Sequence, residues 1–270
     1  MSITTLDGIV AGAQWPRYFA KGITPTLVAG KPQSLWGLAG NPGAGTYDTT
    51  LAGVALSGTS AQVNGQVPFT DPVSGNTYLS RLQAAATQPG TLLLCDRLWH
   101  NGGFTITSAT AQALTSATFP ARDVNGSTNG DGVLVGLEIS AAAGNAAPTL
   151  TLGYTNSAGG TLKTATNTFA TANSPAAGSF FPFGLASGDI GVRQITSLQL
   201  SVSWVSGTMN LVAYRVLASL EITGAFTPNA LDAITGGFAR MYPGTVPFFI
   251  FIPSTTTATN VSGQVIWTQG

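Results

Sequence analysis

The sequence is short of charge. Only 7% of its 270 residues are Asp, Glu, Lys or Arg, ten acids balance ten bases, and one His is present. Globular chains hold about 25% charged residues, and a net charge near zero favours association. Apolar residues are not scarce: at 44% of the chain they exclude a disordered composition. The balance fits a folded protein whose surface is covered by neighbours.

Other absences narrow the class. No Lys/Arg cluster exists, so binding nucleic acid by phosphate neutralisation is not expected. No run of about 18 apolar residues suits a transmembrane helix. Outer-membrane barrel strands also alternate, but the opening MSITTLDGIVAGAQWPRYF places Asp7 early and has no charged n-region, so no export signal and no membrane partner are expected. The single Cys95 excludes an intramolecular disulfide, and within TLLLCDRLW it reads as a buried structural thiol.

What is present is Gly, Ala, Ser and Thr, arranged with strand periodicity. Val133, Val135, Leu137 and Ile139 share one face, and Leu150, Leu152 and Tyr154 share the face of a returning strand. Leu198, Leu200, Val202 and Trp204 alternate with polar residues, and Val212, Tyr214, Val216, Leu220 and Ile222 follow after Ser206-Gly207. A hairpin between these last two runs needs an odd loop or a bulge to keep both apolar sets on one face. Further strands are expected at 91–99, 104–107, 179–183 and 246–252, and in the terminal GQVIWTQ. Short helices are expected near 77–88, capped by Asn76 and stopped by Pro89-Gly90, and at TPNALDAITGG after Thr227. The fold expected is mainly β: a jelly-roll-like β-sandwich over 91–270, chosen over an immunoglobulin-like one on strand count and the long 155–190 connection.

Residues 1–90 read as an irregular N-terminal arm or lobe. Trp15, Tyr18, Phe19 and Trp36 are spread among Pro16, Pro25, Pro32 and Pro42 without a sustained period. Large aromatics need burial, so these four are the expected anchors for docking on another subunit, or for packing on the same chain.

Chemistry is sparse. CDRLWHNGG gathers Cys95, Asp96, Arg97 and His100, but on an extended strand Cys95 and His100 have opposite parity and face apart. An Asp96/Arg97 pair with Trp99 as a strand-end anchor is the structural alternative. DVNGSTNGDG, from Asp123 to Gly132, faintly resembles a calcium loop without the terminal Glu, and reads better as a turn-rich surface loop. GNPGAG at 40–45 lacks the following Lys-Ser/Thr of a phosphate cradle. No catalytic residue, cofactor or metal is expected, and no enzyme.

The stretch CDRLWHNGGFTITSATAQALTSATFPARDVNGSTNGDGVLVGLEIS, with TLGYTNSAGGT, FPFGLASGDIGVRQITSLQL and the terminal SGQVIWTQG, resembles a family of tailed-bacteriophage virion structural proteins over roughly residues 90–270. The resemblance implies a capsid cement or decoration protein, jelly-roll in form, on the outer surface of the phage head. Its implied partners are the major capsid protein and further copies of itself. Two other roles compete: a tail- or fibre-associated sandwich binding host glycans through Trp15, Trp36 or Trp99, and the principal shell protein. The shortage of long helices counts against the last in a tailed phage.

Overall fold

The computed structural model describes residues 3, 5–60, 63–168, 174–237 and 239–270. In chain order its elements are helix α1 (Leu6–Ala11) and strands β1 (Arg17–Ile23), β2 (Gln33–Ser34), β3 (Gly40–Asn41), β4 (Val54–Ala55), β5 (Thr77–Ala86), β6 (Gly90–Asn101), β7 (Gln112–Ala113) and β8 (Leu134–Ala141). There follow β9 (Thr149–Asn156), β10 (Lys163–Thr168), β11 (Phe180–Pro182), β12 (Val192–Leu200), β13 (Thr208–Ile222), β14 (Asn229–Asp232), β15 (Arg240–Met241), β16 (Pro247–Pro253) and β17 (Thr259–Gln269). The chain is mainly β, built of antiparallel ladders, as the alternation requires.

Two compact units divide the chain, and neither ends at residue 90. The first takes residues 1–45, 57–96 and 216–270, and the second takes 46–56 and 97–215. The expected arm followed by one sandwich is therefore replaced by two units, one inserted in the other along the sequence. The chain leaves the first unit within β6, after Asp96, and re-enters it within β13, after Arg215.

Each unit is a complete jelly roll. With eight strands lettered B to I in chain order, that fold orders its two sheets B-I-D-G and C-H-E-F. In the first unit one sheet runs β1-β17-β5-β14 and the other β2-β16-β6-β13, which is that order. In the second unit the eight strands begin with the end of β6 and finish with the start of β13. Its sheets run β6-β13-β8-β11 and β7-β12-β9-β10, the same order again. The whole second roll thus occupies the connection between strands E and F of the first.

Each roll has its own core. Phe19, Leu82, Leu92, Phe249, Val265 and Trp267 belong to the first, and Trp99, Phe119, Leu137, Leu152, Leu198 and Trp204 to the second. Burying a side chain of this size stabilises by roughly 1.5–3 kcal/mol. On β13, Met209, Leu211 and Ala213 enter the second core, whereas Leu217, then Ala218, Leu220 and Ile222, enter the first. Along one strand the alternating core positions pass from odd to even numbers.

Four expectations fail locally. Where helices are expected near 77–88 and after Thr227, Thr77–Ala86 form strand β5 and Asn229–Asp232 form β14 at its edge. The two runs around Ser206-Gly207 do not pair as a hairpin. β12 pairs with β9 and β13 with β8, so the connection crosses between sheets, and a register shift falls at Thr208/Met209. Residues 104–107 form a turn instead of a strand. The 155–190 connection holds β10 and β11; its residues 169–173 lie outside the described residues.

Candidate functional site

The four aromatic anchors separate into two pairs. Alternation along β1 buries Phe19, Lys21 and Ile23 and turns Tyr18 outward. The Phe19 ring lies 4.2 Å from that of Phe249, and Trp36 meets Phe248 edge-on at 6.1 Å. A Cβ on Gly45 would overlap the Trp36 ring, so glycine is what lets the loop close over it. Phe19 and Trp36 are fully buried core residues of this chain. They are not docking anchors, and strand β1, which carries Phe19, and strand β2, two residues before Trp36, correct the reading of residues 1–90 as an arm.

Trp15 and Tyr18 remain available, at 83% and 59% exposure. Their backbone is held: Gln14 N–H donates to Trp267 O at 2.7 Å, Ala13 bridges Thr268, and Tyr18 sits opposite Gln264. A preorganised aromatic loses little entropy on contact. Helix α1 adds Leu6 and Val10, 64% and 69% exposed, and buries none of its residues. Sequence reasoning missed this pair, although the Thr5 cap, which accepts from Gly8 N–H at 3.0 Å, and the i, i+4 spacing both signal it.

The CDRLWHNGG stretch is structural in detail. Burial, reinforced by the charge of Asp96, pushes the Cys95 thiol far up, which leaves it protonated and a poor nucleophile. Asp96 Oδ1 accepts from Val246 N–H at 2.9 Å. Arg97 donates from Nη2 to Glu138 Oε2 at 2.6 Å, with both side chains fully buried, so its ion pair reaches across to β8 where the sequence suggested a local pair. Arg97 Nε also donates to His100 Nδ1 at 3.2 Å. Burial, then the Arg97 charge, lowers the His100 pKa to about 2, so the imidazole is neutral and accepts from Arg97. Arg122 ties this layer to its surroundings, donating to Leu56 O at 2.9 Å and Arg97 O at 3.1 Å.

The two loops weighed for ligands are occupied by the chain itself. Asp123 Oδ1 accepts from Asn125 and Ser127 N–H, and Oδ2 from the Ser127 hydroxyl and Gly130 and Asp131 N–H. Burial pushes this carboxyl up, but the hydrogen bonds outweigh it and hold it below the usual range. Its oxygens organise a turn. In the glycine-rich loop, Lys21 Nζ donates to Leu38 O at 2.7 Å and Gly43 O at 3.0 Å. Burial lowers its pKa to about 8.

The second roll carries a cleft of about 340 Å³, lined among others by Tyr47, Thr49, Phe104, Ser140, Thr208 and Asn210. A Cβ on Gly102 would clash with Asp48 O, so glycine there permits the close approach of the 46–49 segment. The Asn210 amide donates to the same carbonyl at 2.9 Å.

No known family and no curated protein sequence matches the chain. Among solved structures, similarity is found to the T13 viral particle of infectious bursal disease virus, at 10% identity and a TM-score of 0.16, over 96% of this chain and 40% of that one. The VP2 subviral particle of the same virus gives 12% identity and a TM-score of 0.19, over 95% of this chain and 80% of that one. The chain spans well under half the length of the first. At these scores the likeness carries no argument about fold or role.

Proposed function

We propose that the protein is a structural subunit of a virus particle, and more finely a cement or decoration protein on the outer surface of a tailed-bacteriophage head. It works by burying its own surface against the major capsid protein and against further copies of itself. The observation that carries the reading is Trp15, 83% exposed on a pinned backbone, in a chain whose charge is only 7%. A lattice contact desolvates surface, and few ions means little desolvation cost. Jelly rolls serve viral capsid domains, and the topology agrees with the role.

The test compares the wild-type protein with Trp15→Ser/Tyr18→Ser. Cosedimentation with capsids stripped of minor proteins is expected to fall at least tenfold in affinity while Tm is unchanged. Equal binding by the variant overturns the contact, and a monomer without capsid affinity overturns the role. A second reading, the principal shell protein, is favoured by the first roll, which keeps all eight strands in jelly-roll order although the chain leaves it at residues 46–56 and 97–215. Copy number in purified particles separates the two, since a principal shell protein is the commonest protein of the head.

A further inference from the structure

The cleft of the second roll is lined by residues 47–49, by Gly102–Phe104 of one connection, and by Ser140 and Thr208–Asn210 on the strands that flank two others. Residues 102–111, 142–148 and 201–207 link strands B to C, D to E and H to I of that roll, and hydrogen bonds join them: Gly144 N–H to Ser206 O at 3.0 Å and Trp204 N–H to Ile106 O at 2.8 Å. None of the three contains an Asp, Glu, Lys or Arg. The cleft opens at their base, between Gly102–Phe104, the end of β8 at Ser140 and the start of β13 at Thr208.

Its lining combines hydroxyls with aromatic surface. Ser140 Oγ and Thr208 Oγ1 lie 2.8 Å apart, Thr49 adds a third hydroxyl, and the half-buried Tyr47 adds ring surface, while Phe104 packs mainly into the core of the roll. The one charged lining residue is Asp48, whose Oδ2 accepts from Thr50 N–H at 3.0 Å and Thr50 Oγ1 at 2.8 Å. Its negative charge opposes an anionic ligand, and no Lys or Arg lines the cleft to offset it. Hydroxyls that donate and accept, with the ring of Tyr47 beside them, suit a molecule with many hydroxyls and apolar C–H faces. The volume is within the range of small-ligand sites, about 300–1,000 Å³. The geometry points to a binding site for a neutral oligosaccharide at this end of the second roll. It is independent of the assembly contact at Trp15, which belongs to the first unit.

The experiment presents the full chain to an array of neutral, sialylated and sulfated oligosaccharides, then titrates the best neutral one calorimetrically. Neutral sugars are expected to bind and acidic ones to fail. Thr208→Arg and Thr49→Arg, both at exposed positions, are expected to weaken binding at least tenfold. Thr49→Val/Thr208→Val removes two hydroxyls without adding bulk and is expected to weaken it about tenfold, whereas Thr208→Ser retains it. Unchanged Tm shows that each variant is folded. Absence of neutral-sugar binding, preference for acidic sugars, or equal affinity in the Val variant overturns the site.

Discussion

Arg97 Nη2 donates to Glu138 Oε2 across 2.6 Å, and neither side chain reaches solvent. Removing one partner of a buried ion pair leaves an uncompensated charge and costs about 3–5 kcal/mol, whereas replacing both with apolar residues is often neutral. Glu138→Ala is therefore expected to lower stability by about that amount, and Arg97→Met/Glu138→Leu to recover most of it. Urea unfolding followed by tryptophan fluorescence reads both. A single variant as stable as the wild type would show that the pair does not hold the second roll.

His100 supplies a pH dependence. Its folded pKa, about 2, is below the unfolded value of about 6.5. Between these values the unfolded chain binds a proton that the folded chain refuses, so stability falls as pH drops below about 6.5, by up to about 1.4 kcal/mol per unit. His100→Asn removes this contribution whatever its own stability. Unfolding free energies at pH 6, 5 and 4 are expected to decline less steeply in the variant, and parallel slopes would show that His100 takes up its proton in the folded state.

The β character was legible because Val133, Val135, Leu137 and Ile139 alternate and all enter one core. The helix expected near 77–88 came from Tyr78, Leu79, Leu82 and Ala86 at helical spacing between Asn76 and Pro89-Gly90, and within it Leu79 and Leu82 lie three apart. The pairing with β17 explains that spacing: Ile266 faces Arg81 and Trp267 faces Leu79, so a bulge at Ser80 shifts parity and puts both leucines in the same core. Within the second apparent helix, TPNALDAITGG, strand β14 ends on Asp232, whose Oδ1 accepts from Ile234 and Thr235 N–H in the turn that follows. Asp and Thr cap turns as readily as helices. Nesting of the rolls was not legible, because β6 and β13 each belong to two units and β13 changes core-facing parity on the way. Of the candidate anchors, Trp15 and Trp36 have similar Pro- and Gly-rich surroundings; only the fold exposes one and closes Gly45 over the other.

Gly45 and Gly43 give a matched pair in the loop beside Trp36. A Cβ at Gly45 would overlap the indole, while one at Gly43 has nothing within 4 Å. Overpacking of this kind costs about 1–3 kcal/mol. Gly45→Ala is expected to lower Tm by several degrees and to perturb the near-ultraviolet signal of Trp36; Gly43→Ala is expected to do neither. Equal melting of the two would mean that the indole moves aside at little cost.

Truncation separates the contact segment from the core. Among the described residues of 1–11, helix α1 buries nothing, and its tie to the sheet is the hydrogen bond from Thr268 Oγ1 to Ile9 O at 2.9 Å. A chain starting at Gly12 is expected to keep its fold to within about 1 kcal/mol while losing the Leu6 and Val10 surface. Removing residues 1–60 takes out β1 and β2, strands B and C of the first roll, together with β3 and β4. Phe19, Ile23, Leu27 and Leu35 leave its core. At roughly 1.5–3 kcal/mol for each buried side chain, these losses together are comparable with the whole stability of a typical domain, about 5–15 kcal/mol. The long deletion is expected to leave the first unit unfolded, seen as loss of protection of β5 and β17 amides in hydrogen exchange. Protection of those amides in the truncated chain would mean that the sheet closes without its B strand, and that the first sixty residues are an appendage after all.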